Sequence, residues 1–89
     1  MPDRETIRKT LIELLEVDTG EKFPELDDGA NFREGLGLDS VDLVSIVSQV
    51  ERHYRIRLTH EELEKLVTVG DALDLVQAKL AATAESSAA

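Results

Sequence analysis

In this 89-residue chain the residues whose types could support chemistry are few: His53, His60, the acid-rich run Asp27 to Leu38, Gly35, Gly37 and Ser40. Neither histidine stands at a metal-ligand spacing with a third ligand nearby, so both read as surface or boundary residues and no metal site is expected. A calcium loop laid over Asp27 to Leu38 fails. Gly29 takes the third ligand place, Phe32 that of the turn glycine and Leu38 that of the closing Glu. Gly35-x-Gly37-x-x-Ser40 approaches a dinucleotide glycine pattern, but Ser replaces the third glycine and no βαβ unit surrounds it. A hydrolase would need glycines two before and two after its serine and a base within reach, and Ser40 has Leu38 and Asp42 there instead. No enzyme is expected. What Ser40 has is a place in the first turn of a predicted helix, where free N–H groups and the helix dipole favour negative charge. A phosphodiester on its hydroxyl would suit that place. On the residues alone, Asp39-Ser40 with Asp42 reads first as a plain N-cap with a first-turn acid, and the modification site stands as the second reading.

The elements that position Ser40 follow from periodicity. Ile7, Leu11, Leu14 and Leu15 recur at helical spacing behind Asp3 as N-cap and Glu5 in the first turn, which predicts helix one over roughly Arg4 to Val17. From Asp18 to Asp39 the pattern breaks into turn residues interrupted by Phe23, Leu26, Phe32, Leu36 and Leu38, a long connection whose apolar side chains are expected to plug into a helical bundle. Helix two opens at Asp39-Ser40 and runs to about His53 or Tyr54. Leu43, Ile46, Val47, Val50 and Tyr54 fall within about a 100° arc, the width of a core stripe. Val41 and Val44 lie roughly 160° and 100° from Leu43, a small apolar patch facing away from that core. It is either a pair of tolerated surface valines or a docking spot. Thr59-His60-Glu61-Glu62 is a capping box before a short third helix, and Thr68-Val69-Gly70-Asp71 has the same spacing before a fourth carrying Leu73, Val76 and Leu80. The expected fold is therefore all-α: a small four-helix bundle, three main helices and one short one, with a long loop between helices one and two. There is no internal repeat.

Ten Lys and Arg against nineteen Asp and Glu give a formal charge of −9, a field that repels nucleic acid and anionic membrane surfaces. With no Cys the chain has no disulfide, no Cys-based zinc site and no thiol of its own, and an intracellular, cytoplasmic place is expected. The mixed charges after Met1 do not read as a secretory or transit signal.

The stretch Asn31-Phe32-Arg33-Glu34-Gly35-Leu36-Gly37-Leu38-Asp39-Ser40-Val41-Asp42-Leu43-Val44 resembles the prosthetic-group attachment region of acyl carrier proteins. The two later capping sequences resemble the starts of that family's third and last helices, so the resemblance runs from helix one to Leu80. It implies that Ser40 carries 4'-phosphopantetheine, transferred from coenzyme A with magnesium by a phosphopantetheinyl transferase, and that Asp39 caps the helix and helps orient the transferase-bound metal. The arm would bring the only thiol and hold an acyl chain as a thioester. Val41 and Val44 match positions where the family meets partner enzymes, and Asp42 and Glu51 would supply acidic contacts to the basic docking surfaces of acyl-transferring or condensing enzymes. Ile46, Val47, Val50, Leu63, Leu66 and Leu73 are candidate linings for a sheltered acyl chain, each also readable as plain core.

Residues 1–82 are expected to be the carrier domain, with 83–89, poor in large apolar side chains, as a flexible tail, and the start and short tail lead to the expectation of a free-standing monomer. Through Glu51 there are thirteen acids to five bases and after it six to five, and helix two has Ser45 and Ser48 followed by Arg52, Arg55 and Arg57. That mixed face leaves a carrier in specialised lipid or polyketide synthesis beside the fatty-acid reading, with a carrier for aminoacyl or peptidyl groups as the alternative. A different class, an acidic helical adaptor with Ser40 unmodified or phosphorylated, makes the same sequence a pure binding module.

Overall fold

The first helix, α1 (Arg4–Thr19), begins where Asp3 accepts a hydrogen bond from the Thr6 N–H at 2.8 Å. It outlasts the expected end by two residues. The Thr19 hydroxyl donates back to the Leu15 carbonyl at 2.8 Å, and Gly20, at φ +77°, closes the last turn through its N–H on the Glu16 carbonyl. The computed structural model describes residues 3–23 and 25–88, with side chains through Ala82. The other helices are α2 (Ser40–Tyr54), α3 (His60–Glu64) and α4 (Val69–Ala88), and no strand occurs among the described residues. The side chains of the expected tail, 83–89, lie outside the described residues; the α4 backbone is helical to Ala88.

The core forms as the periodicity demands. Ile7, Leu11 and Leu15 of α1, Leu43, Ile46 and Val50 of α2, and Val69, Leu73 and Val76 of α4 are buried in one cluster, and Val47 is buried as well. Leu14 and Tyr54 are half-buried against the cluster. The long loop is pinned by the side chains that interrupt it: Phe23, Leu26, Phe32 and Leu38 are all buried, and Leu36 packs half-buried beside them.

Backbone pairing completes the pinning. Asn31 and Thr68 form an isolated antiparallel bridge, with the Phe32 N–H on the Val67 carbonyl at 3.0 Å and the Val69 N–H on the Ala30 carbonyl at 2.9 Å. The loop before Ser40 is thereby fixed to the start of α4, and these backbone groups are paired without a sheet.

Charge ties the same loop to α1. Arg4 reaches Asp28 at 2.8 Å and Asp74 of α4 at 2.7 Å, and Arg8 also pairs with Asp28. The two guanidinium hydrogen bonds hold the Asp28 carboxyl below the usual carboxylate range. A carboxyl with a lowered folded pKa contributes stability that is complete above its unfolded value and is lost as pH falls through the folded one. Asp28→Asn should therefore be less stable than the wild type at neutral pH, with the gap closing as pH falls below about 4. Urea midpoints across an acid series check this; a gap that stays constant with pH would assign the cluster no electrostatic part.

Candidate functional site

Ser40 is the first residue of α2, and its place is set by a reciprocal capping box. The Asp39 carboxylate accepts from the Asp42 N–H at 2.9 Å, and the Asp42 carboxylate accepts from the Asp39 N–H at 3.3 Å. Both acids are thus spent on the helix start, and Ser40 is left exposed beside them. The cap reading of Asp39 holds, with Asp42 as its partner.

The turn that delivers the chain to Asp39 is wound on Asn31. Its side-chain oxygen accepts the N–H groups of Arg33 and Glu34, each at 2.9 Å, and its carbonyl accepts those of Gly35 at 2.8 Å and Leu36 at 2.9 Å. A Cβ on residue 35 would stand 2.8 Å from that carbonyl oxygen, and Gly37 has φ +70°. Glycine at these two places is therefore a steric requirement of the loop. The near-dinucleotide spacing noted in the sequence is a consequence of it.

The winding carries Arg33 to the hydroxyl: its guanidinium donates to Ser40 Oγ at 3.2 Å. Sequence reasoning did not single out Arg33. The available signal was one lone base seven residues before Ser40 in a stretch otherwise acidic. With Asp39 and Asp42 nearby, an anion placed on Ser40 would need a compensating charge, which the Arg33 guanidinium and the α2 N-terminus could offer.

Beside Ser40 runs a surface groove of about 410 Å³ between α2 and α3, with Leu43, Val44, Leu63, Leu66 and Val67 as apolar lining and Arg33, Glu34, His60 and Glu64 among its polar residues. His60 pairs with Glu64 at 3.0 Å. A second space, about 30 Å³, lies in the core. Ile46, Val47, Val50, Leu66 and Leu73 all line it, so five of the six expected lining residues meet there, whereas Leu63 faces the groove. Leu43 and Leu66 line both spaces and form the partition between them. About 30 Å³ has room for a water molecule and little more, so a chain could enter only by spreading the small branched side chains around it.

The off-core patch is exposed as expected, Val41 at 76% and Val44 at 49%. Glu51, expected to face partners, is half-buried and accepts the Leu58 N–H at 3.0 Å, which fixes the α2–α3 connection. Ser45 is likewise turned inward: its hydroxyl donates to Asp18 of α1 at 2.8 Å, so it lies against α1. Among the described residues no three His, Cys, Asp or Glu side chains gather as a metal site, and no described helix is long and apolar enough to cross a membrane.

A family model for the phosphopantetheine attachment site matches residues 5–76. Among solved structures, the chain is similar to an acyl carrier protein from Thermotoga maritima, with TM-score 0.84 and 29% identity over 90% of this chain and 93% of that one. It is also similar to a holo acyl carrier protein from Geobacter metallireducens, with TM-score 0.76 and 28% identity over 86% and 88% of the two chains. A third similar structure is the apo doublet acyl carrier protein from prodigiosin biosynthesis, with TM-score 0.71 and 25% identity over 84% of this chain and 36% of that one.

Proposed function

We infer the function from one premise: the chain belongs to the phosphopantetheine attachment-site family of carrier proteins, which are not themselves enzymes. Its prosthetic group is 4'-phosphopantetheine, and Ser40 is the residue that takes it. The observation that carries this assignment is the exposed Ser40 hydroxyl at the start of α2 with the Arg33 guanidinium 3.2 Å away. That arrangement fits a phosphodiester: helix N–H groups and guanidinium donors face the added charge, while the capping box already occupies the two neighbouring acids.

In the transfer, Ser40 Oγ forms a bond to the phosphorus bearing the pantetheine. The pyrophosphate P–O bond of coenzyme A breaks, and adenosine 3',5'-bisphosphate leaves. This chain places no base on Ser40, so the hydroxyl proton passes to a group of the transferase. Once attached, the arm supplies a thiol on which an acyl chain is held as a thioester. What this chain contributes is a fixed anchor, a groove with apolar lining beside it and a core that small branched side chains leave deformable.

The cargo we propose is an acyl intermediate of fatty-acid, specialised lipid or polyketide synthesis, handled in the cytoplasm by a monomeric carrier. Val41 and Val44 form the apolar centre of the face shown to the transferase and to acyl-transferring or condensing enzymes, with Asp42 at its acidic edge. Glu51, held by the Leu58 N–H, supports that face through the shape of the α2 end. Val41→Lys with Val44→Lys should leave stability within about 0.5 kcal/mol, because both sites are exposed. The same pair should slow loading by a basic-surfaced transferase roughly tenfold or more, through lost contact and like-charge repulsion. Stopped-time loading assays at two salt concentrations check it, and an unchanged rate would place docking elsewhere.

The direct test of function is the intact mass of the chain after incubation with coenzyme A, magnesium and a broad-specificity phosphopantetheinyl transferase. The expected gain is one phosphopantetheine. No gain, with that transferase and with those of the host, would favour the acidic adaptor.

A further inference from the structure

Among the residues that line the core space next to α2, one has a polar side-chain group. Tyr54, the last residue of α2, lines it together with hydrocarbon side chains only, among them Ile46, Val50, Leu66 and Leu73. The Tyr54 hydroxyl is sealed from solvent and has no hydrogen-bond partner. Its ring is held edge-on to His53, with centroids 4.7 Å apart. A buried hydroxyl without a partner is costly, and native proteins leave few of them. A phenylalanine would fill the same place without that cost, so the hydroxyl marks a position where a second polar atom is expected.

Resting on the carrier reading above, we propose that Tyr54 is a specificity-determining residue for the cargo: its hydroxyl donates a hydrogen bond to an oxygen on the acyl chain, so that this protein shelters chains bearing a keto or hydroxyl group in preference to fully saturated ones. The apolar walls receive the hydrocarbon, and Tyr54 reads the substituent. A site built to pair an oxygen discriminates against the chain that lacks it, because the buried hydroxyl is then left unpaired. The preference depends on where along the chain the oxygen lies, since only one depth brings it to Tyr54.

The test uses the full chain carrying eight-carbon acyl pantetheine amides: a saturated chain, and chains with a single ¹³C-labelled keto group placed near, midway and far from the arm. Intact mass establishes loading first, so a failure to load is a failure of the carrier reading and is seen as such. In the wild type, at least one keto chain should raise the melting temperature above that of the saturated chain by roughly 4 °C, and its labelled carbonyl should shift downfield as a hydrogen-bonded ketone. In Tyr54→Phe, which keeps the ring, the saturated chain should stabilise most, and the carbonyl shift should vanish. The inference is overturned if the saturated chain stabilises the wild type at least as much as every keto chain. It is overturned equally if Tyr54→Phe leaves the ranking and the carbonyl shift unchanged, which would mean that bound water satisfies the hydroxyl.

Discussion

Ser40→Ala is expected to leave the bundle folded and to abolish phosphopantetheine loading completely. The two halves of that expectation rest on different physics. Ser40 is exposed and is not the cap of α2, because Asp39 is. Alanine suits a first helical position, and the lost contact to Arg33 lies at the surface, so stability should change by about 0.5 kcal/mol or less. Loading, by contrast, loses the exposed hydroxyl at the start of α2. Ser45 and Ser48 follow on the same helix, but both are half-buried, and Ser45 is bonded to Asp18. Asp39→Ala is the matched control with the opposite signature. It removes the capping box and should cost about 1–2 kcal/mol, which lowers the melting temperature by several degrees. It should slow loading without preventing it. Intact mass and thermal melts on the same samples separate the outcomes, and a phosphopantetheine gain on Ser40→Ala would move the attachment site off this residue.

The pairing of these two variants reflects how the site was legible before the fold. Helical periodicity and capping spacing placed Asp39 and Ser40 at a helix start, because both signals are local and depend on side chains within four residues of one another. Val41 and Val44 emerged as an outward patch for the same reason. Arg33 did not, since what brings it to Ser40 is the winding of residues 31–38 around Asn31, a set of hydrogen bonds to its carbonyl and side chain with no periodic signature. Nor did the Asn31–Thr68 bridge, which joins segments 37 residues apart. Glu51, which the resemblance gives as a partner contact, and Ser45, counted on the mixed face of helix two, are occupied by groups that lie elsewhere along the chain: the Leu58 N–H and the Asp18 carboxylate. Polar side chains on a half-buried helix face are claimed by whichever loop or helix passes them, and that neighbour is a tertiary fact.

Leu73→Ala and Leu15→Ala should cost alike in the unloaded protein and differ once a chain is attached. Both side chains are fully buried, at 0% exposure, in the same hydrophobic cluster. Truncating either removes apolar burial and leaves a void, a loss of about 2–5 kcal/mol. For a domain of this size, whose whole stability is of order 4–13 kcal/mol, that is a large share, and both variants should melt far below the wild type. Only Leu73 lines the core space beside α2, however; Leu15 does not. An acyl chain held on the arm from Ser40 and sheltered in that space would occupy the volume that Leu73→Ala opens, replacing lost contacts with its own methylenes at about 0.8 kcal/mol each when buried. Attaching an eight-carbon chain should therefore restore a good part of the stability of Leu73→Ala and little of that of Leu15→Ala. Melting curves of the two variants, each with the bare arm and with the acylated arm, make the comparison internal to one protein. Equal recovery at the two positions would show that the chain stabilises from outside, and the core space would then be no more than imperfect packing. Unequal recovery in the stated direction would tie the deformable packing around that core space to the cargo itself. The same small branched residues would then close the core when the carrier is empty and yield when it is loaded.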